Sequence, residues 1–124
     1  MRLKDYRLNK GDTIAILEPS SGKAVEFPSV YHEGIKNLKE VLGLIVKEYP
    51  TAKMSDQDLH NNPQIRAKDI NSAFADPKIK GIITTIGGDD CIRILPFLDK
   101  KIIKDNPKLL MGYSDATILL AYLN

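Results

Sequence analysis

Two stretches of this chain are apolar at nearly every position, Thr13-Ile14-Ala15-Ile16-Leu17 and Ile79 to Ile86. A strand with one wet face alternates apolar and polar residues, so strands apolar at successive positions must be covered on both faces. That requirement selects a parallel sheet enclosed by helices. The intervening segments supply the helices. Tyr31 to Leu42 carries Ile35, Leu38, Val41 and Leu42 at helical spacing, and Gly43 is a natural stop. Pro63 suits the first turn of a helix running to Phe74, with Ile65, Ile70, Ala73 and Phe74 inward, and Asp76-Pro77 breaks it. A further helix is expected through Cys91, Ile94, Leu95 and Leu98, despite Pro96.

Shorter apolar runs complete the pattern. Leu44-Ile45-Val46 begins a second strand ended by Tyr49-Pro50, and Lys108 to Met111 forms a fourth. Thr51 to Asn62 reads as a long polar surface loop, and Lys100, Lys101 and Lys104 as a solvated turn. Ala116 to Leu123 reads as a helix hydrophobic nearly all round, which must be buried against the sheet, a further domain or a partner chain. The expected architecture is α/β: a doubly wound, mostly parallel sheet in three layers, flavodoxin- or Rossmann-like, forming a single domain over residues 1–124.

Composition excludes several classes of function. Eighteen basic residues against sixteen acidic leave a net charge of +2, with the lysines dispersed, so nothing here argues for nucleic acid. One cysteine, Cys91, precludes an internal disulfide and fits a reducing compartment. The N-terminus lacks the apolar core of a signal peptide, and no run is long enough to span a bilayer. The expectation is a cytoplasmic protein without membrane association.

In a doubly wound sheet, ligands bind beyond the carboxyl ends of the strands. Three small, polar turns fall there: Ser20-Ser21-Gly22, Gly87-Gly88-Asp89-Asp90 and Gly112-Tyr113-Ser114-Asp115. A serine between a strand and a helix resembles a nucleophile elbow, although Gly-x-Ser here lacks the second glycine. The Asp115 backbone N–H and the Gly87-Gly88 turn could donate to an oxyanion. Equally, Ser114 or Asp115 could simply cap the helix that follows. Cys91 is the rival nucleophile, but Asp89 and Asp90 oppose a thiolate, and its spacing to Ile94, Leu95 and Leu98 makes it a core thiol. His32 and His60 read as surface or loop histidines. No metal-ligand cluster, dinucleotide fingerprint or P-loop is present in the sequence, so neither a metal nor a cofactor is expected.

Further motifs carry a resemblance. Gly11-Asp12-Thr13-Ile14-Ala15, Pro19-Ser20-Ser21, Arg66-Ala67-Lys68-Asp69-Ile70 and Ala73-Phe74-Ala75-Asp76 appear in order. They are followed by Ile86-Gly87-Gly88-Asp89-Asp90, Arg93-Ile94-Leu95-Pro96-Phe97-Leu98-Asp99, Asn106-Pro107-Lys108 and Gly112-Tyr113-Ser114-Asp115-Ala116-Thr117. Together they resemble the LD-carboxypeptidase family of serine peptidases, which includes murein tetrapeptide carboxypeptidases and microcin C immunity proteins. The Gly-Gly-Asp-Asp turn is more similar to the immunity branch.

The resemblance implies that Ser114 is the nucleophile, with the backbone amides of Asp115 and Gly88 forming the oxyanion hole. It also implies that the remaining triad members, a glutamate and a histidine, belong to a C-terminal domain outside this chain. The substrate would be a small murein peptide or an aminoacyl-nucleotide, and the family's members resemble homodimers. The expectation is therefore the nucleophile-bearing half of a hydrolase, inactive alone. The alternative is a stand-alone binding or regulatory domain in which Ser114 only caps a helix.

Overall fold

The computed structural model describes residues 7–20, 26–85 and 91–112. Four strands, β1 (Thr13–Leu17), β2 (Ile45–Glu48), β3 (Ile79–Thr84) and β4 (Leu109–Met111), form one sheet in the order β2-β1-β3-β4. Every pairing is parallel. Along β1 the side chains divide as the pleat requires. Ile14 and Ile16 join one core with Leu44 and Ala52, while Ala15 and Leu17 join the other with Ile70, Phe74 and Ile82.

Helix α1 (Pro28–Glu40) covers the first face through Tyr31, Ile35 and Leu38. The second face carries α3 (Pro63–Ala75), a 3₁₀ segment (Cys91–Phe97) and α4 (Lys100–Asp105). The three-layer α/β expectation holds, as do all four strands. Gly43 adopts φ +67° just beyond α1. A Cβ there would sit 2.5 Å from the Lys10 side chain, which explains why the chain turns at a glycine.

Four local expectations need correction. First, α1 begins at Pro28 and ends at Glu40, because Pro28 supplies the preset first turn. Second, Thr51 to Asn62 is not a surface loop. It contains a 3₁₀ turn (Pro50–Lys53) and a short helix, α2 (Asp56–Asn61). Ser55 caps α2 by accepting from the Asp58 N–H at 3.2 Å, and Thr51, Ala52 and Leu59 are buried.

Third, the segment from Cys91 is 3₁₀ rather than α, since Pro96 has no N–H with which to extend an α-helical ladder. The lysine-rich segment after it is helix α4, capped by Asp99, which accepts from the Ile102 N–H at 3.1 Å. Fourth, Ile65 is 38% exposed, and Arg66 and Asp69 are buried on α3 instead. The expected apolar helix at Ala116 to Leu123 lies outside the described residues.

Candidate active site

Because all four strands are parallel, their carboxyl ends share one edge of the sheet. β1 and β2 run outward in one direction, β3 and β4 in the other, so the switch in strand order falls between β1 and β3. Ligand crevices in open α/β sheets form at such switch points. Leu17 is level with Thr84, and Ile16, Ile83 and Met111 share one row across β1, β3 and β4. The edge therefore receives the segment after Leu17, the segment after Thr84 and the segment after Met111. In sequence, the second runs on to Gly87-Gly88 and the third to Ser114. Gly88, Ser114 and Asp115 themselves lie outside the described residues, as do Ser21 and Gly22.

What the structure does define is a buried polar network beneath this edge. Glu18, immediately after β1, is fully buried. One carboxylate oxygen accepts the Ser20 N–H at 2.7 Å, and the other accepts the Thr85 hydroxyl at the end of β3. The Glu18 N–H donates to the Thr51 hydroxyl at 3.0 Å, and the Thr51 N–H donates to Asp69 at 2.9 Å. Arg66, also fully buried, donates from its guanidinium to the Pro19 carbonyl at 2.9 Å. The Thr85 N–H continues the β1–β3 pairing by donating to the Leu17 carbonyl at 3.1 Å. Residues 18–20 and 85 are thus held from below and from both sides. Buried polar groups cost stability unless satisfied, so a network this dense fixes the backbone that carries it.

Reading the sequence for chemistry missed these residues. Glu18 directly follows the apolar run of β1, and nothing local distinguishes a buried carboxylate there from a solvated one at the start of a loop. Arg66, Asp69, Ile70 and Ala73 follow helical spacing, so the apolar stripe of α3 already implied two inward polar side chains.

The structure also places the other sequence candidates. Cys91 is fully buried in the second-face core with Ile94 and Leu98. His32 and His60 are both exposed, as expected. His60 is tied to Arg93, whose guanidinium lies 3.0 Å from Nδ1 and donates to the His60 carbonyl at 2.6 Å. Among the described residues, no group of His, Cys, Asp and Glu could hold a metal ion, and no helix is long and apolar enough to cross a membrane.

The groups with displaced titration serve the scaffold. Burial pushes the Lys108 ammonium below its ordinary value, and it donates to the carbonyls of Ala73 (2.9 Å) and Asp76 at the end of α3. The Asp76 carboxyl is held below its ordinary value by the Lys78 N–H first and by Lys47 next. Lys108 and Asp76 precede β4 and β3, at the end of the sheet opposite the crevice. Beside α1, an apolar groove of about 550 Å³ runs along Ile16, Tyr31, Ile35 and Ile83.

A four-stranded parallel sheet covered by helices, with a buried polar network at the carboxyl ends of β1 and β3, defines an α/β domain of the doubly wound class. Residues 14–124 match the LD-carboxypeptidase N-terminal domain, and the chain belongs to that family. It is 36% identical over 113 residues to the Microcin C7 self-immunity protein MccF of Escherichia coli, covering 90% of this chain and 32% of that protein. The structure of MccF in complex with aspartyl sulfamoyl adenosine superposes with a TM-score of 0.85 at 33% identity, covering 97% of this chain and 36% of that one. An MccF-like protein from Bacillus anthracis matches with a TM-score of 0.82 at 35% identity, over 90% of this chain and 34% of that one. The chain spans about a third of the length of the relatives it matches.

Proposed function

We propose that this domain carries the nucleophile of a serine amide hydrolase, with Ser114 as the attacking residue. The observation that carries the reading is the family match. It runs through residue 124 and so includes the Gly112-Tyr113-Ser114-Asp115 turn. The course of β4 supports it, since that strand ends at Met111, directly before the turn and on the crevice edge.

In this reading Ser114 Oγ attacks an amide carbonyl, and the backbone N–H groups of Asp115 and Gly88 take up the developing oxyanion. A histidine oriented by a glutamate, both from a C-terminal domain, accepts the serine proton and passes it to the leaving amine. Water then hydrolyses the acyl-enzyme. The substrates are L,D-peptide bonds of murein peptides or the acyl link of aminoacyl-nucleotide compounds. The solved relative bound to aspartyl sulfamoyl adenosine supports the second class.

The test uses the full-length protein with an L,D-tetrapeptide and with aspartyl sulfamoyl adenosine. Hydrolysis of either is expected, along with fluorophosphonate labelling, and both are lost in Ser114→Ala. The 124-residue chain alone is expected to show no useful turnover, because removing triad members leaves only residual catalysis. Labelling that persists in Ser114→Ala, or efficient turnover by the chain alone, overturns the reading in favour of a binding domain or another nucleophile.

A further inference from the structure

We propose that Glu18 and Thr85 are positioning residues for the oxyanion turn: the Glu18 carboxylate holds the Thr85 hydroxyl across the switch point and so sets where the segment after β3 begins. The inference rests on the reading of Ser114 and Gly88 given above. Its own support is the geometry of described residues.

Thr85 is the last residue before Ile86-Gly87-Gly88. It is fixed at two points, its N–H on the Leu17 carbonyl at 3.1 Å and its hydroxyl on Glu18. Sheet pairing alone accounts for the first bond. In the second the Thr85 hydroxyl donates to a fully buried carboxylate, and that carboxylate is held in turn. Its other oxygen accepts the Ser20 N–H, and the Glu18 backbone N–H donates to the Thr51 hydroxyl. In a buried site a side-chain hydrogen bond is not diluted by competing water.

A core of aliphatic side chains would close the ends of β1 and β3 without this arrangement. A buried carboxylate instead is costly, and its two oxygens face two different loops. The bond fixes the Thr85 side chain, and with it the backbone from which the glycine turn departs. An oxyanion donor works only if it is preorganised, because displacement of a reacting group by about 1 Å costs on the order of a hundredfold in rate. Neither residue touches substrate in this account. Both act through the backbone they hold.

The deciding variants are Thr85→Val, which keeps the shape and removes the hydroxyl, and Thr85→Ser, which restores it. In the full-length protein, Thr85→Val is expected to lower kcat by about ten- to a hundredfold with KM within about twofold. Affinity for a peptidyl boronic acid, which mimics the oxyanion, should fall by a similar factor, and Thr85→Ser should recover most of both. Glu18→Gln keeps one acceptor oxygen and should fall between wild type and Thr85→Val.

A merely structural role would lower thermal stability without moving kcat or boronate affinity. That result, with turnover still dependent on Ser114, overturns the positioning role alone. A rise in KM at unchanged kcat overturns it as well. Boronate binding or turnover that survives Ser114→Ala overturns the nucleophile assignment and this inference with it.

Discussion

The guanidinium of Arg66 on α3 donates to the carbonyl of Pro19 at 2.9 Å, joining two fully buried residues that lie far apart in the sequence. The bond ties the helix covering the second face of the sheet to the segment that leaves β1 at the crevice. It also explains why an arginine occupies a position on α3 that the helical stripe reserves for the core.

Removing this side chain should therefore cost more than an average substitution. Arg66→Ala leaves a cavity and strips the Pro19 carbonyl of its partner, so we expect a loss of about 3 kcal/mol. Arg66→Lys keeps the charge but not the planar fork, and should recover less than half of that. Urea unfolding at constant slope measures both. A loss below about 1 kcal/mol for Arg66→Ala would show that the loop is held by its other contacts.

Stability should decline on the acid side in part because of one surface pair. The Tyr31 hydroxyl on α1 donates to Glu48 on β2, and this bond is the main reason the Glu48 carboxyl lies below its ordinary value of 4.5. Partial burial opposes the shift, and Lys53, 3.6 Å away, adds to it. A carboxyl lowered in the folded state contributes stability above its unfolded value and loses it as the pH falls through the folded one. The Tyr31 hydroxyl is displaced upward by burial first and by Glu48 second, so its contribution is intact at neutral pH and is lost only in strong alkali. Urea midpoints at about pH 6 and about pH 3 should differ less in Tyr31→Phe than in wild type. Equal differences in the two proteins would remove Glu48 from the acid response.

Cys91 should behave as a packing residue. It is fully buried in the second-face core, so a thiol reagent should modify it only on unfolding. Cys91→Ala should cost about 1 kcal/mol by creating a small cavity, while fluorophosphonate labelling of Ser114 in the full-length protein stays within about threefold. Rapid thiol modification of the native protein, or loss of hydrolysis in Cys91→Ala with the fold intact, would reinstate the cysteine as a nucleophile.

Periodicity made the framework legible. The continuous apolar runs predict strands covered on both faces, and β1 and β3 are such strands. Gly43 and Pro63 mark helix boundaries through backbone constraints that act locally, so they are readable without a fold. Thr51 to Asn62 was misread for the opposite reason. Its helix is short and mostly polar, and only the packing of Leu59 and the burial of Thr51 make it part of the domain. The 3₁₀ course after Cys91 is not legible either, because the buried pair Cys91 and Ile94, three residues apart, satisfies an α-helical stripe as readily as a 3₁₀ one.

For the site, the sequence by itself determined the order of the polar motifs and the family to which they point, because those features are contiguous in the chain. Tertiary structure alone decided what lies beneath them. Glu18, Thr51, Arg66, Asp69 and Thr85 come from four separate segments, and beyond the helical spacing that turns Arg66 and Asp69 inward no local pattern brings them together. Whether a carboxylate or a guanidinium is solvated or enclosed depends on partners brought to it by the fold. Here the parallel order β2-β1-β3-β4 sets the ends of β1 and β3 side by side, and α3 closes over one face to complete the partners of Pro19 and Thr51.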